Sequence, residues 1–220
     1  MDPLPTETYL EQVARWPSAG RHILAHADES SVIVYQAFRP SIARYALDHG
    51  AFGGPDFSFS RMSWFKPNFL WMMYRSAWGT AEGQEVVLAI RLSRSFFEQV
   101  LRSAVASSHD LGAGESRAEW QARVHASDVR LQWDPDHDPA GGKLERRAIQ
   151  LGLRGATLHA YATTEVRAII DMTPLVTEQR AQIKAWARLR TPVEDVYRVS
   201  DPTIAENIRL EGDGRAHGHV

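Results

Sequence analysis

Positively charged side chains are mixed with tryptophans in one short stretch of the sequence, RMSWFKPNFLWMMYRSAWG, residues 61–79. The stretch contains Arg61, Lys66 and Arg75. A cation that is enclosed by apolar groups needs either an internal carboxylate or a bound anion. Aromatic walls with a few convergent polar groups are typical of a ligand pocket. The stretch therefore indicates a site for a small anionic ligand.

The tryptophans of this stretch have a second explanation. Trp64, Trp71 and Trp78 follow one another at intervals of seven residues, and aromatic residues supply much of the area of ordinary protein cores. The segment after Pro67 is apolar at nearly every position, which is typical of a helix buried between other layers. Two interpretations therefore remain open, a site lined by aromatic residues and a core helix.

An acidic segment, DPDHDPAGGKLE, has the carboxylate spacing of a calcium loop. Asp134, Asp136, Asp138 and Glu145 would supply the ligands. The position that needs a glycine for the sharp turn is occupied by Pro139, and the flanking residues have the character of strands. The segment is therefore predicted to be the polar turn of a hairpin, and no metal site is expected.

Composition limits the classes of function. The net charge is −2, so no overall basic field attracts the chain to nucleic acid. The absence of cysteine excludes disulfides, thiolate catalysis and cysteine-ligated metals. Lysine occurs only at Lys66, Lys143 and Lys184. The planar fork of arginine suits phosphate and carboxylate, although a coding bias towards arginine explains the same ratio.

No targeting segment is recognised at the N-terminus, and no apolar run approaches the roughly 18 residues of a spanning helix. These features predict a cytoplasmic protein without a membrane partner. The chain divides into a helical extension at 1–21, one domain at 22–190, and a second extension at 191–220 whose end is expected to be mobile.

The elements that must position the candidate residues alternate irregularly between strand and helix. Strands are predicted at 30–38, 61–65, 85–92, 128–134, 147–153 and 162–173. Helices are predicted at 6–16, 40–50, from Pro67 to Trp78, after Ser93, after Ser116 and at 174–190. The irregular order, with one hairpin, predicts an α+β fold.

Several blocks resemble a known family. VYQAF, RMSWFKPNFLWMMYRSAWG, VLAIRLSR, VRLQWDPDHD and RRAIQLGLRG, in this order, are similar to the domain-of-unknown-function family 4291 over about residues 22–190. The chain departs from that pattern at TTEVRAII. The signature positions that the resemblance implies are Tyr35, Gln36, Arg61, Trp64, Lys66, Pro67, Trp71, Arg75, Gln132, Trp133, Asp134, Pro135, Arg147 and Gln150.

The order of elements is more distantly similar to the ADP-ribosyltransferase-like fold, a mixed, largely antiparallel and split sheet flanked by helices. Enzymes of that fold bind NAD as a co-substrate between two small sheets. This resemblance implies a transferase that acts on a nucleic acid or a small molecule.

The same resemblance implies roles for individual residues. Tyr35 and Gln36 would hold the nicotinamide ribose or amide, and Gln150 or Glu145 would lie near the reacting ribose carbon. The implied cofactor-binding residues are Arg61 and Lys66 at the pyrophosphate, Tyr74 stacked on nicotinamide, and Trp64, Trp71 and Arg75 in the surrounding wall. A late glutamate usually stabilises the oxocarbenium-like centre. Because Gln150 is not a carboxylate, transfer to protein side chains is disfavoured.

Two further interpretations remain open. The first is a non-enzymatic module that stacks bases on Trp64, Trp71 and Trp78 and holds the phosphates of a nucleotide or single strand with Arg61 and Arg75. The second is a purely structural role for the signature block.

Overall fold

The computed structural model describes residues 4–109 and 114–211. Its strands are β1 Thr6–Thr8, β2 Gly20–Arg21, β3 Leu24–Ala25, β4 Ser31–Phe38, β5 Ser63–Phe65, β6 Val86–Ser93, β7 Ala104–Ala106, β8 Val129–His137, β9 Lys143–Leu153, β10 Val166–Asp171, β11 Arg190–Pro192 and β12 Asp195–Val196. Its helices are α1 Tyr9–Val13, α2 Pro40–His49, α3 Phe69–Ser76, α4 Arg94–Arg102, α5 Arg117–Ala126, α6 Gly155–Thr163, α7 Thr173–Arg180 and α8 Pro202–Ile208.

Two sheets form the framework. The first has the order β10-β6-β4 and is antiparallel. The second has the order β2-β9-β8-β7, and β5 also pairs with β9. The β8–β9 hairpin and the β5–β9 pair are antiparallel, whereas β7 runs parallel to β8 and β2 parallel to β9. The described chain is thus a single α+β domain with mostly antiparallel sheets, as the sequence predicts.

The two sheets meet at one residue pair. The backbone N–H of Tyr35 in β4 donates to the carbonyl oxygen of Lys66 at 2.6 Å, and the N–H of Lys66 donates back at 3.0 Å. Lys66 directly follows β5, so this pair connects the edge of the first sheet to the second. The backbone of Lys66 is therefore fixed at the junction.

The first sheet carries a core on both faces. Val32, Val34 and the same-face residues of β6 pack in one cluster, while Ile33 and Tyr35 pack in another. Successive residues of a strand point to opposite faces, so a strand buried on both sides reads as a nearly continuous apolar run. That run made β4 easy to recognise in the sequence.

Residues near both ends of the described chain meet at the start of α3. The buried Glu194 accepts a hydrogen bond from the backbone N–H of Phe69 at 2.7 Å and one from the side-chain amide of Asn68 at 3.3 Å. Its own N–H donates to Gln12 at 2.8 Å, and the indole of Trp16 donates to its carbonyl oxygen at 2.8 Å. The segment at 1–21 thus packs directly against residues after 190.

Several boundaries differ from those predicted. Residues 6–8 form β1, which pairs with β11, so the helix predicted at 6–16 begins only at Tyr9, with Thr8 as its N-cap. Helix α6 covers residues 155–161, for which no element is predicted, and the first two residues of the strand predicted at 162–173. Strand β7 lies where no strand is predicted. Helix α7 ends at Arg180 and not at 190. The predicted mobile end, residues 212–220, lies outside the described residues, although α8 precedes it.

None of the helices in residues 4–109 and 114–211 combines the length and the apolar character that are needed to cross a bilayer.

Candidate anion-binding cleft

A cleft of about 530 Å³ opens beside the junction of the two sheets. Strand β4, the start of α2, the loop before β5 and one side of α3 supply its walls. The lining residues are Gln36, Ala37, Phe38, Arg39, Ile42, Asp56, Phe57, Ser58, Arg61, Met62, Ser63, Trp64, Lys66, Met72, Arg75 and Gln84. The cleft therefore brings together Gln36, Arg61, Trp64, Lys66 and Arg75 from the residues proposed on sequence grounds.

The lining has an excess of positive charge. Arg39, Arg61, Lys66 and Arg75 contribute four cations, and Asp56 is the single acidic residue of the lining among the residues described. Within residues 4–109 and 114–211, none of the four cations forms an ion pair or a side-chain hydrogen bond. Since charge of one sign in a concave wall concentrates counter-ions, the cleft attracts anions.

Lys66 is the most enclosed of the four cations, with 3% of its surface exposed. Burial, followed by the nearby charge of Arg75, lowers the pKa of its ammonium to about 8, and the charge of Asp134 limits the decrease. An isolated buried ammonium is costly unless a partner compensates it. A bound anion would supply that compensation.

Trp64 lines the cleft from β5, where it pairs with Gly152 of β9. Its indole lies directly over that glycine, because a Cβ at position 152 would be 2.7 Å from Cε2 of the indole and 2.7 Å from Sδ of Met62. Such a close approach leaves no space for a larger residue at 152. The glycine therefore sets the position of the indole in the cleft.

Gln36 is held by contacts within the protein. Its Nε2 donates to Oγ of Ser63 at 2.7 Å, and its Oε1 accepts a hydrogen bond from the hydroxyl of Tyr161 at 3.0 Å. The side chain is 7% exposed. It therefore shapes the base of the cleft and joins β4 to β5 and α6.

Tyr35 lies on the opposite face of β4 and does not line the cleft. Its ring packs edge-on against Phe69 with centroids 5.3 Å apart, in a cluster separate from that of Gln36. Burial, followed by the charge of Glu194, raises the pKa of Tyr35. Adjacent residues of a strand cannot face the same ligand, so the structure separates the two residues that the resemblance joins.

Trp71 and Trp78 attach α3 to the β8–β9 hairpin. The ring of His137 stacks on Tyr74 with centroids 3.5 Å apart and on Trp71 at 5.2 Å. The indole of Trp78 donates to the carbonyl oxygen of Pro139 at 3.1 Å. These two tryptophans have structural contacts, whereas Trp64 faces the cleft.

Helix α3 is buried along most of its surface but keeps one exposed side. Phe69, Leu70, Trp71, Met72 and Met73 are buried, whereas Tyr74 and Arg75 are exposed. Arg75 therefore has access to solvent as well as to the cleft.

Gln150 belongs to a polar group on the second sheet. Its Nε2 donates to Oε1 of Gln132 at 2.6 Å and to Oδ2 of Asp134 at 2.7 Å. Burial raises the pKa of Asp134, although the hydrogen bond from Gln150 and the charge of Lys66 act in the opposite direction. Glu145 is exposed and lies five residues before Gln150 on β9.

A family model described as Domain of unknown function (DUF4291) matches residues 22–197. The chain belongs to the DUF4291 family. The matched range contains every lining residue of the cleft, and it confirms the resemblance that the sequence blocks predict. No curated protein matches the chain.

The signature positions that the resemblance implies omit two charged residues of the cleft. Arg39 lies directly before Pro40, which begins α2, and Asp56 lies in the Gly-rich loop that follows that helix. In the sequence both look like ordinary polar residues next to a turn. The placement of Arg39 beside a proline, at the end of a buried strand, is the one local signal that could have indicated it.

The acidic segment of this DUF4291 member forms a hairpin turn, as predicted. Asp136 forms a buried ion pair with Arg146 at 2.6 Å, and Asp138 accepts hydrogen bonds from the N–H groups of Ala140 and Gly142 at 2.8 and 2.9 Å. Asp136 and Asp138 therefore each have a protein partner. Across the described ranges, no three acidic or histidine side chains converge as metal ligands.

Proposed function

We propose that the cleft binds a nucleotide through its phosphate groups and that NAD is the first nucleotide to test. The observation that carries the proposal is that Arg39, Arg61, Lys66 and Arg75 line one cleft and that none of them forms an ion pair within residues 4–109 and 114–211. The guanidinium fork binds phosphate in a bidentate manner, and lysine adds a point charge.

The dimensions of the cleft favour a small ligand over a long strand. A volume of about 530 Å³ lies within the roughly 300–1,000 Å³ range of small-molecule sites. Trp64 offers an aromatic surface in the cleft, whereas Trp71 and Trp78 are engaged by the hairpin. A track that stacks several successive bases needs several available rings, so a single nucleotide fits better.

NAD is preferred among nucleotides because of the resemblance to the ADP-ribosyltransferase-like fold. Enzymes of that fold bind NAD between two small sheets, and the cleft lies beside the junction of two sheets at Tyr35 and Lys66. The two phosphates of NAD would occupy the cationic wall, with an aromatic ring of the ligand on Trp64.

Isothermal titration calorimetry tests the binding proposal directly. NAD, ADP-ribose and ATP are expected to release or absorb heat with a single site, whereas adenosine, which lacks phosphate, is expected to bind at least about tenfold more weakly. Affinity should fall as salt is raised, because screening weakens charge interactions. The Arg188→Ala variant, which removes an exposed arginine outside the cleft, should bind as the unmodified protein does. Equal affinity for adenosine and ATP would overturn the proposal.

Glycosyl transfer from NAD is a second candidate. Asp134 does not line the cleft, but its charge acts on Lys66, which does, and this proximity favours the candidate. The resemblance assigns Gln150 to the place of a catalytic carboxylate, and Gln150 donates directly to Asp134 at 2.7 Å. In the reaction, the bond between ribose C1′ and nicotinamide breaks and its electron pair leaves with the nicotinamide nitrogen. An acceptor oxygen then bonds to C1′ and loses its proton. The carboxylate of Asp134 would stabilise the positive centre.

Release of nicotinamide on incubation with NAD separates the enzyme from a binding module. Asp134→Asn should reduce release by about 100-fold or more while leaving the affinity for NAD nearly unchanged. Glu206→Gln is the control, since Glu206 is exposed and belongs neither to the cleft nor to the residues that the resemblance implies. If NAD binds but no nicotinamide appears, the transferase candidate fails and the binding proposal stands.

A further inference from the structure

The amine of Lys66 has an unusual setting for a lysine. Its backbone is fixed by two hydrogen bonds to Tyr35, and its side chain is 3% exposed although it lines the cleft. Most lysines extend into water on a flexible stem. Here the stem is held at the sheet junction, so the nitrogen has a defined position beside a space that a ligand can enter.

No carboxylate in the described part of the chain forms an ion pair with this nitrogen. Burial and the charge of Arg75 lower the pKa of Lys66 to about 8. A freely solvated lysine titrates near pH 10.4, so at pH 8 Lys66 is unprotonated on the order of 100-fold more often. Lysines that are desolvated next to another cation act as nucleophiles towards carbonyl groups.

We infer that Lys66 is a reactive amine that condenses with the aldehyde of a phosphorylated compound bound in the cleft. The inference rests on the proposed binding of phosphate, and it names the carbonyl group as a second feature of the ligand. Open-chain ADP-ribose, in which the terminal ribose presents an aldehyde, is the nucleotide of this class.

The chemical step needs no other reagent. The lone pair of the Lys66 nitrogen forms a bond to the aldehyde carbon, and the carbonyl oxygen takes up a proton. The resulting carbinolamine loses its hydroxyl group with a second proton from the nitrogen, as water. The product is an imine between Nζ of Lys66 and the former aldehyde carbon.

The arginines of the cleft would make this reaction selective. Arg61 and Arg75 are exposed cations on the same cleft and would hold the phosphate of the compound. Holding one end of a ligand raises the effective concentration of its other end near the amine. A phosphorylated aldehyde should therefore react faster than the same aldehyde without phosphate.

The chain provides its own controls, because it contains two other lysines, Lys143 and Lys184, and both are exposed. The intact protein would be treated at pH 8 with pyridoxal 5′-phosphate and a borohydride that reduces the imine to a stable amine. Peptide mass mapping then gives the rate of labelling at each lysine. Pyridoxal, the same aldehyde without phosphate, is the matched probe.

Labelling of Lys66 by the phosphorylated probe is expected to be about tenfold or more faster than labelling of Lys143 or Lys184. ATP should slow it, and Lys66→Arg should abolish it. Arg61→Ala should slow labelling by pyridoxal 5′-phosphate but not by pyridoxal. ADP-ribose with the same reductant should attach at Lys66 and add the mass of ADP-ribose less one oxygen atom, because water is lost and two hydrogens are gained.

Equal labelling of the three lysines would overturn the inference, and so would equal rates at Lys66 with the two probes. These outcomes are separable from failure of the proposed function. Nucleotide binding without selective labelling of Lys66 would leave binding intact and reject the reactive amine. Selective labelling of Lys66 without heat from any nucleotide would instead reject the nucleotide as the natural ligand.

Discussion

The charge of Arg75 acts on the buried ammonium of Lys66, and after burial itself it is the larger influence that lowers the pKa of that group. Two cations that approach each other in a cleft, with no ion pair to either among the described residues, destabilise the ligand-free fold. The expected consequences concern both stability and binding.

Replacing Lys66 with methionine should stabilise the ligand-free protein at pH 7 by about 1–3 kcal/mol. The pKa in the folded state, about 8, is below the ordinary value of 10.5. The unfolded chain therefore binds the proton more tightly, and the stability of the unmodified protein rises as pH increases from 8 to 10.5. The advantage of Lys66→Met should shrink over the same interval. Chemical denaturation at pH 7 and pH 10 measures the difference in unfolding free energy between the variant and the unmodified protein, with Lys143→Met as control. A variant that is less stable at pH 7 would show that the folded chain compensates the ammonium.

Replacing Arg61 or Arg75 with alanine should weaken phosphate-bearing ligands by about 10- to 100-fold, since a hydrogen bond to a charged group contributes about 1.5–3 kcal/mol. Because both side chains are exposed and have no protein partner in the described ranges, stability should change by less than about 0.5 kcal/mol. Titration calorimetry and thermal melting measure the two effects. A large loss of stability in either variant would assign the arginine to the fold instead of the ligand.

Replacing Gly152 with alanine should displace the indole of Trp64 and lower ligand affinity. The added Cβ would lie 2.7 Å from both the indole and Sδ of Met62, so one of them must move. The cost to stability should be about 1–3 kcal/mol. In a double-mutant cycle, Gly152→Ala should cost less stability in the Trp64→Leu background than in the unmodified protein, because leucine leaves more space for the added Cβ. Equal losses of stability in the two backgrounds would contradict the conclusion that Gly152 sets the position of the Trp64 indole.

Replacing Glu194 with glutamine should remove one pH dependence of stability. Burial raises the pKa of Glu194 well above its ordinary value of 4.5. The folded state then holds the proton more tightly than the unfolded chain, so this contribution is complete below pH 4.5 and is lost as pH rises through the folded-state pKa. Relative to Glu194→Gln, the unmodified protein should lose stability between pH 4.5 and 7. Melting curves across this range provide the check, with the exposed Glu206→Gln as control. If the unmodified protein instead gained stability over this pH range relative to Glu194→Gln, the carboxylate of Glu194 would be ionised in the fold and stabilised by its hydrogen bonds.

Replacing Ala77 with glycine should stabilise the protein by about 0.5–1 kcal/mol. Ala77 ends α3 in the left-handed conformation, with φ of 49° and ψ of 48°, where its Cβ is crowded. Ala122 lies inside α5 in a right-handed helix, and Ala122→Gly should cost about 1 kcal/mol. Changes of the same sign in the two variants would argue against the strain at Ala77.

The elements with strong local signals are those that the sequence predicts correctly. Strand β4 is apolar on both faces, α2 runs from Pro40 to the left-handed Gly50, and α5 has a capping box between Ser116 and Glu119. Each signal depends on residues within one or two turns. The strands near the two ends of the chain were missed because β1 pairs with β11 across the whole sequence, and periodicity does not report such contacts.

The cleft was predictable where its residues are close in sequence. Arg61, Lys66 and Arg75 were selected together because they belong to one stretch, and the fold brings all three to the same cavity. Arg39 reaches it from the junction of β4 and α2, and its position before Pro40 is the one local signal for it. The alternation of a strand could have separated Tyr35 from Gln36 before any coordinates, since neighbours in a strand face opposite sides.

The attachment of Glu194 to the start of α3 has a practical consequence for work on shortened versions of the chain. A fragment trimmed to the family-matched range, 22–197, would retain Glu194 but remove Gln12 and Trp16, which hold its backbone. The helix that carries Arg75 would then lose part of its support. Failure of such a fragment to bind a ligand would therefore not show that the intact protein fails to bind it.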